Sequence, residues 1–113
     1  MVTKIAGPAV AKELAMTGKH ITAERAHGEG LVHDVFPGDE LDDQVRAFAE
    51  DLATQAPLAV QEIKRSVNLA MEVGLEEGIA YDGQAAGDLQ STEDFAEGTS
   101  AFAEDRDPEF EGK

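Results

Sequence analysis

Between residues 39 and 71 apolar side chains recur twice at a helical period, and that repeat constrains the fold more than any other feature. Leu41, Val45, Phe48, Ala49 and Leu52 fall at i, i+4, i+7, i+8 and i+11, one stripe of a 3.6-residue period. Asp42, Asp43, Arg46, Glu50 and Asp51 take the opposite face. Asp39 and Glu40 favour the positive end of the helix dipole, so the spacing predicts a helix from Asp39 to about Gln55. Pro57 then suits a first helical turn, where its missing N–H is no loss. Val60, Ile63, Val67, Ala70 and Met71 form the second stripe, and Gly74 with Leu75 fits a glycine C-cap.

The flanking segments extend the pattern. Gly7-Pro8 precedes a short helix with Val10 and Leu14 on one side, stopped by Gly18. Thr22 caps a second short helix through Arg25 and Ala26, ended by Gly28 and Gly30. Leu31 to Phe36 is rich in β-branched residues and closes at Pro37-Gly38, which reads as a short extended segment. A weaker helix runs from Leu75 to about Gln90. Gly78, Gly83 and Gly87 lie inside it, each costing about 1 kcal/mol relative to alanine, a cost usually kept where another backbone packs close. Ser91 to Asp94 has a capping-box pattern. Phe95, Thr99, Phe102 and Ala103 follow at helical spacing, and Pro108 ends that helix. The expected organisation is a connector over 1–38, a helical region over 39–107 and a frayed tail over 108–113. The fold class is mostly α, with at most one short strand.

Composition makes the core thin. Tryptophan is absent, and there are one tyrosine and five phenylalanines among 113 residues, so a partner surface is expected. The charge is −15, from 24 acids and 9 bases, which excludes nucleic acid and anionic membrane as partners because both need a basic face. The acid excess has three readings: a disordered tail, a docking face for a basic partner, or halophile chemistry in which carboxylates keep a protein soluble in concentrated salt. The third is preferred, because the acids lie along several helix faces and lysine is scarce. With no cysteine there is neither a disulfide framework nor a thiolate site. No apolar run approaches the roughly 20 residues of a membrane span, and the N-terminus has no signal pattern. The expectation is a cytoplasmic protein.

Sites of chemistry are hard to find. All three histidines lie in His20-Ile-Thr-Ala-Glu-Arg-Ala-His-Gly-Glu-Gly-Leu-Val-His33, but helical zinc ligands sit four apart so that both rings aim at one point. His20 and His27 are seven apart, and a helix break separates His27 from His33. No metal is expected. Gly28-Glu-Gly30 lacks the strand-to-helix context of a phosphate loop and reads as a helix stop. The acid pairs Asp42-Asp43, Glu50-Asp51 and Glu76-Glu77 splay apart on a helix and read as solvated faces. Ser66, Ser91 and Ser100 have no nucleophile context, and Lys64-Arg65 reads as surface charge. No catalytic residue is assigned.

The order of local patterns says more. Gly7-Pro-Ala-Val-Ala-Lys-Glu-Leu…Thr-Gly18, Ile21-Thr-Ala-Glu-Arg-Ala26 and Gly30-Leu-Val-His-Asp-Val-Phe-Pro37 come first. Ala56-Pro-Leu-Ala, Ile63-Lys-Arg-Ser-Val-Asn68, Leu75-Glu-Glu-Gly78, Ser91-Thr-Glu-Asp94, Ala101-Phe102 and Pro108-Glu-Phe110 follow. Together they resemble the enoyl-CoA hydratase/isomerase (crotonase) superfamily, and specifically its C-terminal part. The resemblance implies a multi-helix C-terminal domain of the crotonase fold without the spiral β/α core, which carries the family's oxyanion hole and acid–base glutamates. It implies no cofactor beyond a coenzyme A thioester as substrate. It also implies roles in oligomerisation and in covering the CoA site, through self-association or the absent core, and no activity alone. By the same resemblance Phe102 matches an aromatic near the CoA adenine. The family's lysine position is occupied by Asp105, whose carboxylate repels phosphate. Arg106 beside it either substitutes or is a solvated arginine. The alternative function is a stand-alone acidic helical module that binds a protein partner.

Overall fold

The computed structural model describes all residues from Met1 to Lys113 as six helices with no strand. These are α1 (Val2–Thr17), α2 (Ala23–Gly28), α3 (Leu41–Ala53), α4 (Pro57–Ala70), α5 (Leu75–Leu89) and α6 (Glu93–Glu104). The chain divides into two compact units, Met1–Val45 and Arg46–Lys113, and the division falls within α3.

In the first unit α1 starts six residues before Pro8 and is broken at Gly7, which has φ 81 and ψ 167. Proline cannot continue the hydrogen-bond ladder of the preceding turn, and glycine alone takes the left-handed backbone without strain. Gly18 ends α1 in the αL conformation with its N–H on the Leu14 carbonyl. Thr22 caps α2 as its sequence predicts, its Oγ1 accepting from the Arg25 N–H at 3.2 Å. The end of α2 is a Schellman turn: the Gly30 N–H donates to His27 O, and the Leu31 N–H donates to Ala26 O, with Gly30 at φ 71. A bidentate pair from Arg25 to Glu13, at 2.8 and 2.6 Å, ties α2 to α1. It holds the Glu13 carboxyl below the usual range. The extended segment expected over residues 31–36 is a series of bends and irregular backbone instead. Its β-branched residues have no neighbouring chain to supply a ladder, and extended backbone becomes a strand only when paired.

In the second unit α4 packs on α5. Tyr81 donates to Glu62 Oε2 at 3.0 Å, Ser66 donates to Asp82, and Arg65 pairs with Glu62 within α4. The Tyr81 hydroxyl is raised above its ordinary range by that bond to Glu62. Two expectations shift here. The cap of α6 is Thr92, not Ser91: Thr92 Oγ1 accepts from the Phe95 N–H at 3.1 Å, while the Ser91 hydroxyl is spent on Asp88 O. The expected close approach at the α5 glycines is absent, since a Cβ at Gly83 or Gly87 would meet nothing within 4 Å.

The apolar stripes are well formed and largely exposed. Ala101 is the only buried hydrophobic residue, whereas Val45, Phe48, Ile63, Val67, Ile79 and Phe102 are all more than half exposed.

Candidate functional site

The residues with the most built surroundings lie on and around α6. Asp94, in its first turn, is the one buried charged side chain, 4% exposed. Its Oδ1 accepts from the Glu111 N–H at 2.8 Å and its Oδ2 from the Gly112 N–H at 2.9 Å. Its own N–H donates to the Lys113 carbonyl at 3.2 Å. One turn on, Glu97 Oε1 accepts from the Glu109 N–H at 2.9 Å. The tail expected to fray over 108–113 is therefore fastened to α6. The reason is that two carboxylates three residues apart on one helix face meet a backbone segment whose N–H groups have no secondary-structure partner.

Arg106 completes the clasp. Its two terminal nitrogens meet the two oxygens of Glu97 at 2.6 and 3.0 Å, and its Nε donates to Glu104 at 2.7 Å. Such a fork-to-fork pair fixes both side chains. The Arg106 bond, then the Glu109 N–H, bring the Glu97 carboxyl down to about 2. Glu97 and Glu104 in turn raise Arg106 above its usual range. The fold thus engages Arg106 with two carboxylates. Asp105, the helix stop, sits at φ 55, the one non-glycine residue with positive φ. It turns the chain so that Arg106 reaches back to Glu97.

Beside the clasp runs an open apolar groove of about 560 Å³, lined by Leu58 and Ala59 of α4, Leu89 of α5, and Phe95, Gly98 and Phe102 of α6, with Phe110. A second groove of about 570 Å³ lies along Leu52, Ala59, Val60, Ile63 and Val67. Phe110 lines both. Its ring lies over Gly98, where an added Cβ would be 3.4 Å away. Phe102 is 90% exposed at the groove's edge.

The structure therefore places Phe102 and Arg106 near the same end of α6, but in different states: one ring is open to solvent and one guanidinium is occupied. The histidines His20, His27 and His33 are all exposed, and no three His, Cys, Asp or Glu side chains are placed to hold a metal ion. No helix is long and apolar enough to cross a membrane. Sequence reasoning missed Asp94, Glu97 and the tail as one unit. The available signal was Asp94 and Glu97 one turn apart, ahead of the Asp-Pro-Glu-Phe-Glu-Gly segment.

Comparison with known proteins places these helices. The 2,3-dehydroadipyl-CoA hydratase of Escherichia coli K12 is 38% identical over 107 residues, covering 95% of this chain and 42% of that protein. The (E)-benzylidenesuccinyl-CoA hydratase of Thauera aromatica is 44% identical over 104 residues, covering 92% and 41%. The crystal structure of an enoyl-CoA hydratase subunit I from Geobacillus kaustophilus superimposes with a TM-score of 0.94 at 37% identity, over 99% of this chain and 44% of that one. The chain thus spans less than half the length of each. The family model for enoyl-CoA hydratase/isomerase matches residues 1–113, and the chain belongs to that family.

Proposed function

We propose that this chain is the helical C-terminal region of an enoyl-CoA hydratase/isomerase-type enzyme acting on acyl-CoA thioesters. In this reading it helps assemble the enzyme and covers the CoA site, and it is inactive without the rest of the fold. The observation that carries it is the exposure of the apolar stripes: Ala101 is the only buried hydrophobic residue, while Ile63, Val67 and Ile79 each stay more than half exposed, an unpartnered apolar surface that soluble chains rarely leave open. The exposed stripe residues Ile63 and Val67 of α4 and Ile79 of α5, and the open space at Gly83 and Gly87, are the surfaces a further part of the fold would cover. The C-terminal placement rests on the order of the sequence motifs. The acyl-CoA substrate class rests on the relatives, each named as a CoA-thioester hydratase.

Phe102 is the residue proposed to contact the CoA adenine ring, since an exposed aromatic face is available for stacking. Arg106, matched by the resemblance to a CoA-phosphate contact, is held by Glu97 and Glu104; the cluster carries net negative charge and offers a phosphate little attraction, so the proposed CoA contact rests on Phe102.

The test is complementation. The chain is co-expressed with the portion of the Geobacillus enzyme that precedes its matching segment, and separately with any portion that follows it. Crotonyl-CoA hydration is measured for each mixture and for the chain alone. Turnover only with the preceding portion is expected. Turnover by the chain alone, or only with the following portion, refutes the proposal, and a stable complex with an unrelated basic protein in place of either would favour the interaction-module alternative. The salt-adapted reading of the −15 charge has its own check. Helix content and melting temperature should rise between dilute buffer and molar KCl as carboxylate repulsion is screened, and equal values in both would remove its basis.

A further inference from the structure

We propose that the first two turns of α6 and the edge of α4 form a peptide-recognition site, and that its ligand is this chain's own segment Glu109–Lys113. The segment is held as a bound peptide is held. Asp94 takes two successive backbone N–H groups, those of Glu111 and Gly112, one on each oxygen. Glu97 takes a third, that of Glu109. The Asp94 N–H returns a bond to the Lys113 carbonyl. Between these bonds Phe110 is the side-chain anchor, its ring seated on Gly98, where a missing side chain leaves the room. A Cβ added at Gly112, which sits at φ 76, would lie 3.6 Å from the Pro57 ring, so the segment runs beside the head of α4 as well as α6. Backbone capture by fixed acceptors with one aromatic pocket is the general logic of peptide recognition.

The location gives the site its consequence. Phe110, with Ala56 and Ala59, lines both apolar grooves, so unseating the segment removes one wall from each. The recognised ligand class is a short segment with one aromatic residue, presented by its backbone N–H groups. Asp105 and Arg106 deliver it: the left-handed turn at Asp105 reverses the chain, and the Arg106–Glu97 pair anchors the start of the segment beside its site.

Amide hydrogen exchange on the intact chain by NMR tests this directly. The Glu109, Glu111 and Gly112 amides should exchange at least about tenfold more slowly than in an unstructured peptide. Phe110→Ala and, independently, Gly98→Leu should each abolish that protection, while α4 and α5 amides stay protected and report an intact fold. Gly98→Leu leaves every hydrogen-bonding group in place, so its effect isolates the aromatic seat. A peptide of residues 107–113 added at millimolar concentration should shift α6 resonances of the Phe110→Ala chain severalfold more than those of the wild type, whose tethered segment already competes at a millimolar effective concentration. Wild-type exchange at the unstructured rate, protection that survives both substitutions, or equal peptide shifts in the two chains would each overturn the proposal.

Discussion

Replacing Asp94 with asparagine changes one atom type and removes a charge, which makes it the sharpest test of how the C-terminal segment is held. Asp94 is 4% exposed, and its two oxygens accept at 2.8 and 2.9 Å from the Glu111 and Gly112 N–H groups. Asparagine fits the same space but has one oxygen. Whichever way the amide turns, its NH2 faces a second N–H, and two donors meet. A hydrogen bond to a charged acceptor is worth about 1.5–3 kcal/mol net, and a neutral one about 1 kcal/mol. Losing one bond outright and the charge from the other costs about 2–5 kcal/mol by that arithmetic. The segment can also leave, so the loss is capped by what its seating contributes, and about 2 kcal/mol is the working figure. For a chain of this size that lowers Tm by about 10 °C. Thermal unfolding followed by circular dichroism at 222 nm in molar KCl measures it. The exchange pattern should match, with only one of the Glu111 and Gly112 amides keeping its protection. An Asp94→Asn chain that melts within about 2 °C of the wild type with both amides still protected would refute the reasoning.

Three further outcomes follow from the same residues. Glu97 should titrate near 2 in the folded chain, against 4.5 for an unperturbed glutamate. Its contribution to stability is therefore complete above pH 4.5 and lost as pH falls from there towards 2. NMR titration of its carboxyl carbon checks the midpoint, and Glu97→Gln should flatten the slope of stability against pH in that window. Asp105→Gly should raise stability by up to about 1 kcal/mol, because glycine takes φ 55 without the left-handed penalty; a urea titration that shows destabilisation would mean that the Asp105 side chain has a role its backbone does not explain. Phe102→Ala, at a 90% exposed position, should change stability by less than about 0.5 kcal/mol yet weaken CoA binding in the complemented enzyme, and unchanged affinity by calorimetry would remove Phe102 from the proposed site.

Much of the helical plan was legible in the sequence because helix formation is decided locally. The Thr22 cap, the Gly18 stop and Pro57 at the head of α4 act within one turn of where they stand, whereas Gly74, expected to end α4, instead N-caps α5, and α4 ends at Met71. The cap of α6 slipped by one residue because Ser91 and Thr92 both offer a hydroxyl, and only the path of the preceding turn decides which one meets the Phe95 N–H. Residues 31–36 were misread for the opposite reason. Their β-branched composition reports a preference for extended backbone, but a strand needs a second chain segment that composition does not mention.

The sequence by itself determined which segments are helical, roughly where most of them lie, and which face of each is apolar, since period is a property of neighbours. It also carried the family resemblance, in the order of many weak motifs. Only the tertiary structure decided that Asp94 and Glu97 hold the segment after Pro108, that Arg106 is clasped by carboxylates, and that Phe110 lines two grooves. The segment from 108 to 113 has no periodicity of its own, and its order comes from bonds to residues up to 19 positions away. Such contacts form when a turn, here the left-handed Asp105, folds the chain back on itself and lets fixed acceptors meet free backbone donors.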